Sequence, residues 1–329
     1  MMLFKLMMSW KLLILKIYKM KTYLVTGAAG FVGAALSGFL IENGNKVVTI
    51  DNLSTGFENS IPDGVEFYKG NVQDKSLIEK LEKYKFDCIF HIAGQSSGEI
   101  SYDDPVYDLQ TNTQSTLLLL KLAKNVNCKK FIYASSMSVY GDFLDGAVNE
   151  EVKLFPKSFY GIGKMASENY LRIYKEHEIT CTSLRLCNIY GPGQNLSNMR
   201  QGMVSIFVKQ ALSDNKIIVK GSKDRFRDFI YIDDVVRGFY ELEKRNTNSY
   251  KCYNLTSNEK TTVGELTSII KDVVGNNTTI LFNGSSPGDQ FGVYGDNAKI
   301  LRETNWKITI NLKEGLSKMI FWAKDNINI

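Results

Sequence analysis

The chain is poor in the residues that build metal sites and disulfide frameworks. It has two histidines, His91 and His177, and five cysteines, Cys88, Cys128, Cys181, Cys187 and Cys252. Two imidazoles leave a zinc site short of ligands, so no metal is expected. No Cys-x-x-Cys pair occurs, and an odd count suits free thiols in a reducing, cytoplasmic setting. Internal repeats and low-complexity tracts are absent. So is the unbroken apolar run that a signal peptide or membrane span needs. Lys5, Lys11, Lys16 and Lys19 interrupt residues 1–20, and no small-residue cleavage site follows. A spanning helix would put Lys11 and Lys16 in lipid at about 2.5–3.5 kcal/mol each, so no transmembrane segment is expected.

What is present describes a globular protein. The 329 residues are 44% hydrophobic and 23% charged, enough for a sizeable core in roughly two domains. Net charge is +5, but the four lysines of residues 1–20 face no acid there, leaving 5 − 4 = +1 on the rest. A near-neutral body lacks the basic excess that nucleic acid demands, so no such partner is expected. At 100° per residue the four lysines and Ser9 share one side of a helix, which suits an interfacial amphipathic segment. The simpler reading is an unstructured extension or an early start codon, with the functional chain beginning at Met20.

From Lys21 onward short apolar runs alternate with helical stretches. Strands are expected at 22–27, 46–52, 66–72, 87–94 and 129–136, and helices at 31–44, 76–84, 109–125 and 160–177. This rhythm predicts an α/β fold, a doubly wound parallel sheet of Rossmann type with ligands at the carboxyl ends of its strands. After Leu186 the rhythm changes, with loop-like sequence at 191–202 and Gly and Asn clustered at 275–297. The expected organisation is an extension (1–20), a dinucleotide-binding domain (21–185) and a smaller, discontinuous substrate lobe (mainly 186–329) with segments returning to the first domain.

The first strand runs into Gly27-Ala28-Ala29-Gly30-Phe31-Val32-Gly33 and then a helix. The glycines permit a tight turn and close approach to a pyrophosphate, which the helix N-terminus faces. Asp51, with Asn52 beside it, ends the next strand about twenty residues on. A carboxylate there accepts from ribose hydroxyls and repels a 2′-phosphate, favouring NAD(H) without excluding NADP(H). Further along, Tyr160 and Lys164 stand at i, i+4 on one helix face. A tyrosine is a poor base unless a nearby cation stabilises its phenolate, and Lys164 supplies one.

The Gly-x-x-Gly-x-x-Gly spacing together with Tyr-x-x-x-Lys resembles the short-chain dehydrogenase/reductase superfamily. Over 21–329 the length and later motifs resemble its extended branch, which acts on nucleotide sugars. The resemblance implies a catalytic set of Ser136, Tyr160 and Lys164, with Ser138 the second candidate for the hydroxyl. It implies cofactor contacts from Asn71-Val72 at the adenine edge and from Ala93 in the His91-Ile92-Ala93-Gly94 segment, with His91 itself packed in its strand. Asn112 would support the active site. Asn188 and Arg227 would bind the substrate diphosphate, and Asp228 and Asp233 would be structural. A homodimer through the helices at 109–125 and 160–177 follows by analogy.

Three positions depart from family patterns. Ser286 stands where a diphosphate-clamping arginine is usual, and Leu186-Cys187 where many UDP-hexose 4-epimerases have Tyr-Phe. Met137-Ser138 replaces the acidic pair of 4,6-dehydratases, which argues against dehydration. Two chemistries at sugar C4 remain, and both use the same three residues. The favoured expectation is NADH-dependent reduction of a dTDP-4-keto-6-deoxyhexose for surface polysaccharide of the O-antigen (lipopolysaccharide) type. The alternative is a UDP-hexose 4-epimerase with tightly bound NAD. A third class, a non-catalytic NAD-binding module, predicts loss of Tyr160 or Lys164, and both are present.

Overall fold

The computed structural model describes residues 20–247, 249–275, 277–284 and 290–327. The leader at 1–19 and Ser286 lie outside the described residues. Six strands lead: β1 (Thr22–Thr26), β2 (Lys46–Asp51), β3 (Glu66–Lys69), β4 (Cys88–His91), β5 (Lys130–Ser136) and β6 (Thr180–Leu186). Shorter ones follow: β7 (Asn188–Tyr190), β8 (Lys216–Lys220), β9 (Phe226–Arg227), β10 (Phe229–Tyr231), β11 (Lys251–Leu255), β12 (Thr261–Thr262) and β13 (Thr279–Asn283). The helices that matter for the site are α1 (Phe31–Glu42), α2 (Lys75–Glu79), α3 (Pro105–Leu109), α4 (Ser115–Asn125), α5 (Phe159–Ile173), α6 (Met203–Asp214) and α7 (Ile232–Glu243).

Seven strands form one parallel sheet in the order β11-β6-β5-β4-β1-β2-β3. Alternation along β1 divides the core: Tyr23 and Val25 pack with Leu36, Leu40 and Phe239 on one face, and Leu24 packs with Ile50, Leu119 and Phe131 on the other. Both faces are covered, which is why these strands read as continuous apolar runs. Sheet growth reverses between β1 and β4, and the crevice at such a reversal is where doubly wound sheets bind ligands. After β7 the chain builds two-stranded pairs, β7 with β10, β9 with β12 and β8 with β13, before β11 rejoins the main sheet beside β6.

Several boundaries differ from the sequence expectation. The helix expected at 76–84 is α2 followed by a 3-10 turn, Lys80–Lys83. The helix expected at 109–125 begins at Pro105, where Asp104 accepts from the Tyr107 N–H at 2.9 Å and caps it. It then widens into a π-turn at Gln110–Gln114 before α4. Strand β3 stops at Lys69, three residues short of the expected end. Strand β6 is an element the sequence reading did not delimit. Among the described residues no helix is long and apolar enough to cross a membrane.

Candidate active site

A cleft of about 1460 Å³ opens over the carboxyl ends of β1, β2, β4 and β5. Gly27, Gly30, Phe31, Val32 and Gly33 line it from the first turn, and Asp51, Asn52, Val72 and Ala93 from the next strand ends. Ser136, Tyr160 and Lys164 line its middle, and Asn188 and Arg227 its far side. Of the catalytic, cofactor and diphosphate contacts expected from sequence, Asn71 alone is not on this wall. Its Oδ1 accepts from Asn52 Nδ2 at 2.8 Å, and Asn71 is exposed. Gln73 lines the wall near it, with a buried Oε1 that has no hydrogen-bond partner.

The glycine loop is a cradle that side chains would fill. Gly27 has φ +80°, and a Cβ there would lie 3.0 Å from Ala93 Cα. A Cβ on Gly33 would fall 2.0 Å from the Gly27 carbonyl oxygen, so only glycine lets α1 start this close to β1. Asp51 braces the loop: its Oδ2 accepts from Ala29 N at 3.0 Å and its Oδ1 from Leu53 N at 2.7 Å. Each carboxylate oxygen keeps a further lone pair for a ribose hydroxyl. Thr26 Oγ1 accepts from the N–H groups of Ile92 and Ala93, tying the ends of β1 and β4 together. The bare cradle, the helix N-terminus and the carboxylate fit a dinucleotide pyrophosphate and its ribose.

His91 is a packing residue, as expected. It is fully buried, contacts Thr26 Oγ1 at 3.0 Å and Ser115 Oγ at 3.1 Å, and burial holds it down to about 3.

Helix α5 carries Tyr160 and Lys164, and Ser158 caps it by accepting from Gly161 N. Lys164 is buried, donates to the Ala134 carbonyl at 2.8 Å, and sits 5.6 Å from the Tyr160 ring centre. Burial pulls its ammonium down to about 8, against the opposing pull of Asp108 and Glu168. Burial pushes the Tyr160 phenol up to about 12, while hydrogen bonding to Ser136 works the other way and the Asp108 charge adds to the rise. Ser136 Oγ lies 2.5 Å from Ser138 Oγ and accepts from Ser138 N at 3.2 Å. Ser135 points away, donating to Glu168 Oε1 at 2.6 Å.

On the far side Arg227 is buried, and it donates to the carbonyls of Phe226 and Gln290 at 2.8 and 2.7 Å. Burial, then the neighbouring Arg225, lowers it to about 10. Asn188 donates to the Asp228 carbonyl at 3.1 Å. Asp228 is structural, as expected: its carboxylate accepts from Ser257 N, Asn258 N, Gly295 N and the Cys187 thiol. Asp233 is not on the cleft wall.

Sequence reasoning passed over Arg225, Lys220, Gln95, Asp108 and the Glu168–Arg185 ion pair. The first two line the cleft beside Arg227. Glu168 and Arg185 form a buried pair at 2.7 Å that joins α5 to β6. Asp108 is 1% exposed, and its Oδ1 accepts from Gln95 Nε2 at 2.8 Å and Asn112 Nδ2 at 3.1 Å. Asn112, expected to support the site, leaves its Oδ1 buried and unpartnered beside Gly94.

The chain is similar to known proteins over most of its length. It is 33% identical to a putative UDP-glucose 4-epimerase of Methanocaldococcus jannaschii over 306 residues, covering 92% of this chain and 98% of the relative. The crystal structure of a UDP-glucose 4-epimerase with UDP-glucose from Thermotoga maritima superposes with a TM-score of 0.89 at 31% identity, covering 93% of this chain and 99% of that one. A Thermus thermophilus UDP-glucose 4-epimerase in complex with NAD gives 0.86 at 27% identity, covering 93% and 100%. The sequence model of the NAD dependent epimerase/dehydratase family matches residues 23–256. The cradle, the Tyr160–Lys164 helix and these likenesses agree: the chain belongs to the NAD dependent epimerase/dehydratase family, and its cofactor is NAD.

Proposed function

We propose that this chain interconverts the C4 epimers of a UDP-linked hexose, with NAD held in the glycine cradle. The observation that carries the reading is the likeness to UDP-glucose 4-epimerases over nine-tenths of the chain, in a protein whose Ser136, Tyr160 and Lys164 share one cleft wall. The expected preference for a dTDP-4-keto-6-deoxyhexose reductase rested on Leu186-Cys187 and Ser286. Cys187 has a local reason, since its thiol donates to Asp228 Oδ1 at 3.3 Å and takes part in the base of the substrate lobe. Epimerisation is therefore the better supported of the two chemistries.

When bound, NAD supplies a reversible acceptor for the hydrogen on the sugar C4. Tyr160, as phenolate, takes the proton of the C4 hydroxyl and returns it to the oxygen of the opposite epimer. Ser136 donates a hydrogen bond to that oxygen. Lys164 holds its ammonium near the phenolate, which burial alone would make too basic to form at neutral pH. The domain around β1–β6 (21–185) holds the cofactor, and residues drawn mainly from 186–329 hold the nucleotide sugar. Asn188 and Arg227 are the diphosphate partners, with Arg225 as a second cation in place of the arginine missing at 286. The protein acts as a homodimer through α3 and α5, whose outward residues Val106, Leu109, Ile162 and Ile173 are exposed. Five free cysteines support a cytoplasmic setting.

Product analysis tests the reaction. Purified protein given UDP-glucose or UDP-galactose, with no added coenzyme, is expected to interconvert them. Inactivity there, together with stoichiometric NADH oxidation on dTDP-4-keto-6-deoxyglucose, would replace this reading with the reductase.

A further inference from the structure

We infer that Asp108 is a positioning residue of the active site: it fixes the side chain of Asn112 against Lys164 and sets the charge environment of the Tyr160–Lys164 pair. The inference rests on the epimerase reading above for its kinetic readout, and on geometry for its substance.

Asp108 sits on the last turn of α3, and the π-turn that follows carries Asn112. A wider turn changes which residues share a face, and here Asp108 and Asn112 both point inward and hydrogen-bond at 3.1 Å. With its amide also donating to the Gln95 carbonyl at 2.9 Å, Asn112 is held so that its Oδ1 faces Gly94. A Cβ on Gly94 would lie 2.4 Å from that oxygen and 3.6 Å from Lys164 Nζ, so oxygen and ammonium flank the same point. Asp108 Oδ2 reaches α5 as well, lying 3.4 Å from where a Cβ on Gly163 would stand. Gly163 directly precedes Lys164, so the carboxylate lies beside the turn that joins Tyr160 to Lys164.

The charges facing Lys164 are few. Glu168 and Tyr160 come from its own helix, Tyr133 and His91 from β5 and β4, and Asp108 from α3. Glu168 is engaged by Arg185 at 2.7 Å and by Ser135 at 2.6 Å. His91 is held neutral, and Asp103 on the neighbouring turn pairs with Arg200 at 2.5 Å on the surface. Asp108 is thus the buried carboxylate near the pair that no arginine or lysine ion pair offsets among the described residues. Its charge raises both Lys164 and Tyr160. Removing it should move both groups the same way, downward.

The test compares the wild-type holoenzyme with Asp108→Asn, which keeps an acceptor for Gln95 and Asn112 but loses the charge. Acetylation of the neutral Lys164 amine by acetic anhydride, which releases acetate, followed across pH by mass spectrometry of its peptide, reads the lysine directly. Its midpoint, near 8 in the wild type, is expected to fall by roughly one pH unit. Both limbs of the kcat/KM profile for UDP-hexose interconversion should move to lower pH by a similar amount, while KM stays within about twofold. Asp108→Ser, which also frees Asn112, is the second variant should the first fail to fold; the same acid shift is expected with a kcat lower still. A folded Asp108→Asn protein with unmoved labelling midpoint and unmoved limbs overturns the inference. The labelling shift is read even if the wild type leaves UDP-hexoses unchanged; that result would refute the reaction and not the role of Asp108.

Discussion

Lys164 is an ammonium sealed in protein, 3% exposed, with its folded value near 8. In the unfolded chain it keeps its proton to about pH 10.4. Between those values the unfolded chain binds the extra proton, so stability rises with pH across that window, and the cost of burial is full below pH 8. At neutral pH that cost is on the order of 3 kcal/mol. Lys164→Met is therefore expected to abolish interconversion yet raise stability at pH 7 by about 1–3 kcal/mol, with the gain shrinking above pH 8. Urea denaturation at pH 7 and pH 10 checks it; a less stable variant at pH 7 would refute the burial cost. Tyr160→Phe is expected to lose about a thousandfold in kcat while its denaturation midpoint stays close to wild type. These two residues were legible in the sequence because their chemistry depends on local i, i+4 spacing. Asp108 and Glu168 were not: an acid in a helix reads as a solvated face until packing buries it.

At the scale of elements, the turn from β1 into α1 was legible because its requirements are local, glycine where the backbone closes on itself and an acid one strand later. Its tolerance is correspondingly small. Gly33→Ala puts a methyl 2.0 Å from a backbone oxygen, so the loop must open. We expect a loss of about 1–3 kcal/mol in stability and protein that carries far less NAD than wild type in acid extracts. Retention of a full complement of NAD would contradict the cradle. Other elements hid from the sequence. The π-turn at Gln110–Gln114 has no compositional mark, and the early stop of β3 at Lys69 depends on strand pairing. Beyond that stop Gln73 lines the cleft and Asn71, expected there, does not. Strand β6 and the return of β11 are long-range pairings, which no window of sequence contains.

On the scale of the whole molecule, the fold class followed from the strand–helix rhythm, while Arg225 and Lys220 joined Asn188 and Arg227 on the cleft wall only through the tertiary arrangement. The proposed homodimer would use the exposed apolar residues of α3 and α5. The wild type is expected to sediment at twice the chain mass, and Leu109→Glu with Ile162→Glu at the mass of one chain; a monomeric wild type would contradict the dimer. The central claim is that one cleft removes and restores the hydrogen at C4 of a UDP-hexose through Tyr160, Lys164 and bound NAD. Its most direct test is UDP-glucose carrying deuterium at C4, incubated with the purified protein and followed by NMR. The account predicts UDP-galactose with the deuterium retained at C4 and no net change in coenzyme. Unchanged UDP-glucose, or galactose whose C4 deuterium has exchanged with water, would contradict it.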